Sequence, residues 1–204
     1  MRDWPARVVP RYPVAVFLDR DGTINVDTHY PHRLDDLEFL PGALSALSGL
    51  AALPVHVIVV SNQAGIALGM YTREAMAAFN RELRRRAAEA CGRIDAFYYC
   101  PHLERKNLGP GEQPCLCSKP APGMLFEAAE DFGLDLSRSI FVGDKSSDIE
   151  AGIAAGCYTI LVASAPLAVK ANPDYVTRDL SAVVPIVNEL LSRSVTPSRR
   201  HRTA

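Results

Sequence analysis

Val14-Ala15-Val16-Phe17-Leu18-Asp19-Arg20-Asp21-Gly22-Thr23-Ile24-Asn25 is an apolar run that stops at two aspartates one residue apart. An unbroken β-branched and aromatic run fits a strand covered on both faces, as in a parallel sheet packed between helices. Asp19 and Asp21 then emerge where that strand ends, at the edge where open α/β sheets place their ligands. Gly22 lets the chain turn away sharply and leaves room for a ligand against the backbone. Two carboxylates beside such a turn could hold a divalent cation and still leave one oxygen free to attack.

The rest of the chain repeats this arrangement. Val55 to Val60 forms a second apolar run, ending in Ser61-Asn62-Gln63-Ala64-Gly65, and Ser139 to Val142 forms a third, ending in Gly143-Asp144-Lys145 with Asp148 beyond. Lys119 follows a cysteine-rich loop and precedes Pro120-Ala-Pro122-Gly-Met, a helix start with proline in its first turn. Each motif alone has a plainer reading: Asp-x-Asp-Gly or Ser-Asn as a turn, Asp144 or Asp148 as favourable charge at a helix N-terminus, Lys119 as a solvated lysine. All four in order, each at an element edge, point to phosphoryl transfer.

A second constellation is Cys100-Pro-His102 followed by Cys115-Leu-Cys117. Three thiolates and one imidazole suit tetrahedral Zn²⁺, and a site filled by four protein ligands is structural rather than catalytic. The intervening loop has Asn107, Gly109, Pro110, Gly111 and Pro114 but no apolar periodicity, so burial alone would not shape it. A disulfide or unconnected buried thiols are the competing readings. A total of five cysteines and no secretory signal weigh against a disulfide. Cys91 and Cys157 lie apart and read as ordinary small apolar residues.

The ordered set Asp-x-Asp, Ser-Asn, Lys and Gly-Asp-x-x-x-Asp resembles the four motifs of the haloacid dehalogenase superfamily of phosphohydrolases, over about Val14 to Val176. Asp19-Arg-Asp-Gly-Thr-Ile-Asn25 with Cys-Pro-His and Cys-x-Cys-x-Lys-Pro-x-Pro-Gly-Met is similar to the D-glycero-D-manno-heptose 1,7-bisphosphate 7-phosphatases. Their near relatives, the histidinol-phosphate phosphatases, supply the alternative substrate.

The resemblance implies Asp19 as nucleophile and Asp21 as general acid and then base. It implies Mg²⁺ on the Asp19 carboxylate, the Asp21 backbone carbonyl and Asp144, and Zn²⁺ on Cys100, His102, Cys115 and Cys117. Ser61 and Lys119 would hold phosphoryl oxygens. Asp27, Thr28, His29 and Tyr30 would contact the sugar; Asn62, Gln63 and Ala64 form another substrate-contacting stretch with Ser61, and Lys145 would lie near the phosphate.

Ser118 departs from the family pattern, which has arginine before the motif lysine to help hold the substrate. A serine cannot make the bidentate charged contact. Arg20, Arg105 and Lys106 are the neighbouring cations that could replace it.

The expected fold is α/β: a Rossmann-like parallel sheet with helices on both faces and a zinc-bound loop. No large insertion follows Asn25 or Asn62, so no cap domain is expected. Helical patterns run near Gly42 to Leu53, Thr72 to Ala90, Pro122 to Phe132, Ser147 to Ala155 and Leu180 to Leu191. Extended segments lie near Val14, Val55, Ile94, Ile140, Tyr158 and Tyr175. Residues 1–13 read as a surface lead-in, 14–192 as one phosphatase domain containing zinc loop 100–117, and 193–204 as a disordered basic tail.

At 204 residues and 48% apolar content the chain supports one substantial core. Net charge is −1. The four arginines after Ser192 leave an acidic body with little footprint for nucleic acid. Arg81, Arg84, Arg85 and Arg86 beside Glu74, Glu82 and Glu89 read as a solvated helix face. No apolar run spans a bilayer. The expected setting is cytoplasmic, with a small phosphorylated sugar as partner, no nucleic acid or membrane contact, and a monomeric state. A catalytically silent zinc-stabilised binding module is the rival from another class.

Overall fold

The computed structural model describes residues 2–3, 11–103, 107–109, 113, 115–163 and 171–193. Arg105, Lys106 and the tail beyond Arg193 lie outside the described residues.

A seven-stranded sheet has the order β1-β4-β3-β2-β5-β6-β7. Its strands are β1 (Arg2–Asp3), β2 (Ala15–Leu18), β3 (His56–Asn62), β4 (Ala96–Cys100), β5 (Ile140–Gly143), β6 (Tyr158–Val162) and β7 (Tyr175–Thr177). Strands β2 to β7 are mutually parallel, and β1 runs antiparallel to β4 with Arg2 opposite Tyr98 and Asp3 opposite Phe97. The chain winds from β2 through β3 to β4, then crosses back to β5 and continues outward to β7. This reversal of direction makes the carboxyl ends of β2 and β5 the switch point where such sheets bind ligands.

Alternation along β2 explains the two-sided core. Val16 and Leu18 join one apolar cluster; Ala15 and Phe17 join the other. Helices α1 (Ala43–Ala51), α2 (Arg73–Glu89) and α5 (Val183–Ser192) cover the first face through Leu47, Leu50, Phe79, Leu83, Val183 and Val187. Helices α3 (Gly123–Phe132) and α4 (Ser146–Ala155) cover the second through Met124, Leu125, Phe132 and Ala151. Both faces of β2 are therefore dry, which is why its sequence is continuous rather than alternating.

Helix ends follow local chemistry. The Thr72 hydroxyl caps α2 by accepting from the Ala75 amide at 3.2 Å. Gly133 and Gly156 end α3 and α4 in left-handed conformations (φ 65° and 79°). The last predicted helix divides into a short 3-10 turn, Leu180–Ala182, and α5. Cys91 and Cys157 both lie apart from the cysteine–histidine cluster; Cys157 is buried, whereas Cys91 is exposed with φ 59°, in a turn after α2. The α2 charges are only partly a solvated face. Arg85 pairs with Glu82 and Glu89, but Arg86 also donates to the Leu37 carbonyl at 3.0 Å and Arg84 lies over the Phe97 ring.

Candidate active site

At the carboxyl edge of the sheet a cleft of about 620 Å³ opens above β2, β3 and β5. Asp19 follows β2, Ser61 and Asn62 end β3, Lys119 arrives from the loop before α3, and Asp144 follows β5. The strand order brings these residues together from sequence separations of up to 125 positions.

Lys119 is buried, and its Nζ lies 2.7 Å from Asp19 Oδ1 and 2.7 Å from Asp148 Oδ1; it also donates to the Val60 carbonyl at 3.1 Å. Asn62 secures the Lys119 backbone from both sides, accepting from its amide and donating to its carbonyl at 3.0 and 3.1 Å. Asp148, on the first turn of α4, is fully buried and accepts from the Lys145 amide at 3.0 Å. Asp144 accepts from the Thr23 hydroxyl at 3.0 Å. Asp19, Asp144 and Asp148 carry carboxylate oxygens within 4.8 Å of one another, a hard-oxygen set suited to a divalent cation. Asp148 closes the Gly-Asp-x-x-x-Asp motif, and its place in the cluster depends on α4 folding back over Gly143.

The electrostatics reflect this crowding. Burial, then the neighbouring Asp148 charge, pushes the Asp19 carboxyl up to about 7 despite Lys119. Burial likewise raises Asp144. Lys119 is held above its ordinary value: burial opposes its charge, but Asp148 and Asp19 outweigh that. A bound cation would relieve the repulsion among the three carboxylates.

Gly22 has φ +94°, and a Cβ there would fall 2.4 Å from Asp144 Oδ2. The turn thus requires glycine twice over, for its backbone angle and for the carboxylate packed against it. At the mouth, Lys145 pairs with Asp27 at 3.0 Å and also donates to the Asp21 carbonyl at 3.3 Å. His29 and Tyr30 both adopt left-handed backbone, with φ 63° and 66°.

Asp27, His29, Tyr30, Ser61, Asn62, Gln63, Lys119 and Lys145 line the cleft, as do Asp19, Asp21 and Asp148. Thr28, Ala64 and Ser118 are not among its lining residues. Thr28 is exposed, and Ala64 and Ser118 are buried. The expectation for Arg20 is corrected: it is 1% exposed and tied within the protein, so it cannot replace the missing arginine. Tyr71 lines the cleft with no motif to announce it.

On the wall beside the cleft, Cys100 at the end of β4 meets His102, Cys115 and Cys117. Sulfur pairs lie 3.2 to 3.3 Å apart, and His102 Nδ1 lies 3.3 Å from Cys117 and 3.5 Å from Cys100. Three thiols and an imidazole converging on one point are the donor set of a structural zinc site, drawn together here more closely than the ~3.8 Å sulfur–sulfur edges of a tetrahedron with Zn–S distances of about 2.3 Å. A Cβ on Gly123 would meet the Leu116 carbonyl at 2.2 Å, so this loop packs directly on the start of α3.

Fold and site together define a haloacid dehalogenase-like hydrolase. A family model described as HAD-hyrolase-like matches residues 116–183. The D-glycero-beta-D-manno-heptose-1,7-bisphosphate 7-phosphatase of Escherichia coli is 39% identical over 145 residues, covering 71% of this chain and 76% of the relative. The D-glycero-D-manno-heptose-1,7-bisphosphate 7-phosphatase of Thermosynechococcus vestitus is 39% identical over 182 residues, covering 83% and 93%. The crystal structure of D,D-heptose 1,7-bisphosphate phosphatase from B. bronchiseptica, complexed with magnesium and phosphate, aligns with TM-score 0.72 at 31% identity, covering 86% of this chain and 98% of that one. The chain belongs to the heptose 1,7-bisphosphate 7-phosphatase family of phosphoric monoester hydrolases.

Proposed function

We propose that residues 14–192 form a Mg²⁺-dependent phosphatase that removes the 7-phosphate of D-glycero-D-manno-heptose 1,7-bisphosphate through an aspartyl-phosphate. The observation that carries this reading is the convergence of Asp19, Ser61, Lys119, Asp144 and Asp148 at one sheet edge. Direct attack of water on a phosphate ester is among the slowest uncatalysed reactions, and a carboxylate nucleophile divides it into two easier steps.

An Asp19 oxygen forms the new bond to phosphorus while the bond to the sugar oxygen breaks, and Asp21 delivers a proton to that oxygen. Water then attacks phosphorus, Asp21 takes its proton, and phosphate leaves with Asp19 regenerated. Ser61 and Lys119 hold the equatorial oxygens on which charge accumulates. Mg²⁺, on Asp19, Asp144, the Asp21 carbonyl and the adjacent Asp148, would supply the positive charge that lets two anions meet. Zn²⁺ on Cys100, His102, Cys115 and Cys117 would fix the wall of a cleft that has no cap.

Among the described residues lining the cleft there is no arginine. This observation favours a second reading, a monophosphate such as histidinol phosphate, because a second phosphate would lack a bidentate partner. The deciding experiment measures phosphate release from heptose 1,7-bisphosphate and histidinol phosphate side by side with Mg²⁺. Preference for the bisphosphate supports the first reading, and turnover of histidinol phosphate alone replaces it with the second. Asp19→Asn should abolish both activities while keeping fold and zinc; full activity in that variant removes Asp19 as nucleophile.

A further inference from the structure

Resemblance assigned Gln63 to the substrate and left Arg20 as a spare cation; the hydrogen bonds assign both elsewhere. The Asp21 carboxylate accepts four of them. Arg20 grips both oxygens, Nε to Oδ1 and Nη2 to Oδ2 at 2.9 Å each. Asn25 Nδ2 donates to Oδ1 and Gln63 Nε2 to Oδ2, both at 3.0 Å.

Arg20 is itself immobilised. Nη1 donates to Asn80 Oδ1 at 3.0 Å, Nη2 donates to the Pro31 carbonyl at 3.1 Å and to Gln63 Oε1 at 3.2 Å, and the guanidinium lies 4.6 Å from the Phe79 ring centre. A bidentate guanidinium fixes the plane of a carboxylate in a way a point charge cannot.

Gln63 is 2% exposed and has no polar capacity left. Its Nε2 donates to Asp21 and, at 2.8 Å, to the Ser61 hydroxyl oxygen; its Oε1 accepts from Arg20 and, at 2.6 Å, from the Tyr71 hydroxyl. Two N–H groups and two lone pairs are thereby used. The opposite amide orientation would face an NH₂ to the Arg20 guanidinium, donor against donor, so only one orientation is allowed. Because Ser61 accepts from Gln63, its own proton is free to point into the cleft. Tyr71 is wedged in turn: a Cβ on Gly65 would meet its ring at 2.2 Å.

We propose that Arg20 and Gln63 are positioning residues, a buried frame that fixes the Asp21 carboxylate for proton transfer, one amide N–H giving way when an oxygen takes up the proton, and, through Gln63, the Ser61 hydroxyl for the phosphoryl group. This rests on the reading of Asp21 as acid and base. Neither residue binds substrate.

The test compares two leaving groups in the full-length, zinc-containing protein with saturating Mg²⁺. The sugar oxygen of heptose 1,7-bisphosphate needs a proton as it departs, whereas p-nitrophenolate from p-nitrophenyl phosphate does not. Arg20→Lys and Gln63→Met should each lower kcat on the sugar phosphate by about 10- to 100-fold, a share of what a positioned acid contributes. KM should stay within about 2-fold, because uniform substrate binding is untouched. The pre-steady-state burst of p-nitrophenolate, which reads the first step before Asp21 acts as base, should slow by under about 5-fold, since only the Ser61 contribution is lost there.

A raised KM with kcat kept would return Gln63 to the substrate site and overturn the proposal. Equal losses on both leaving groups would overturn it too. Asp21→Asn, run alongside, separates the two levels. If it also slows the first step on both substrates equally, the reading of Asp21 as the acid fails. If it is selective and the frame variants are not, only the frame fails. Should either variant melt below assay temperature, Asn80→Leu replaces it: Asn80 touches Arg20 but neither Asp21 nor the cleft. The same selectivity is expected there at about 3- to 10-fold, and an unselective loss counts against the frame.

Discussion

Gly22 shows how much one missing side chain can carry. Its backbone lies at φ +94° and its α-carbon sits against the Asp144 carboxylate. Gly22→Ala would meet both a left-handed backbone penalty of ~1 kcal/mol or more and a displaced metal-site carboxylate. We expect that variant to lose at least ~100-fold in Mg²⁺-dependent kcat/KM, comparable with removal of a major electrostatic group, while zinc content by elemental analysis stays unchanged. Full activity would show that Asp144 can move without cost. At this scale the sequence was legible where chemistry is written in short motifs, as at Asp19, Asp21, Lys119 and Asp144. The burial of Arg20 and Asp148 was not legible, because a charged residue in a string says nothing of its surroundings. Arg20 is enclosed by Gln63, Phe79 and Asn80 from another part of the chain, and Asp148 by Lys119 from the loop before α3, and no local pattern encodes that.

Among elements, β3 and β4 are tied at the sheet edge opposite the cleft by Asp95. Its carboxylate accepts from the Val57 amide at 2.8 Å and from Arg93 at 3.2 Å, with His56 Nδ1 at 3.4 Å. Burial alone would raise this carboxyl, but the His56 and Val57 contacts prevail and hold it below its usual 3.8. A depressed folded-state value means that its stabilisation is present above pH ~4 and fades as pH falls through the folded-state value. Asp95→Asn should therefore lose about 1–2 kcal/mol in urea unfolding at pH 7, the scale of hydrogen bonds to a charged group. The gap to the parent protein should shrink below pH ~4. A gap independent of pH would mean that shape, not charge, holds the strands. Element reading from sequence succeeded for β2 to β7, most plainly where an apolar run is bounded by turn residues. It missed β1, since two residues carry no period and their pairing with Phe97 and Tyr98 is set by the edge they meet.

Over the whole molecule, the apolar core is far larger than the cysteine–histidine cluster that borders it. Both apolar clusters lie against the sheet; Cys100 is a buried member of the second, and Cys115 and Cys117 pack against its rim. Cys117→Ser should accordingly lose zinc yet keep the α/β circular dichroism spectrum, with a larger fall in kcat/KM for the sugar phosphate than for p-nitrophenyl phosphate. Retained zinc would refute the ligand set, and loss of the fold would mean that the sheet depends on it. Among the described residues no helix is long and apolar enough to cross a membrane.

The order in which the strands lie in the sheet is not the order in which they are made. Asp19 stands on the central strand, but its neighbour β5 and the carboxylates Asp144 and Asp148 come more than 120 residues later. A chain made only through β4 holds Asp19, Ser61 and Cys100, but neither Asp144 nor Asp148. The three carboxylates that could share a cation meet only once β5 and the first turn of α4 have been added.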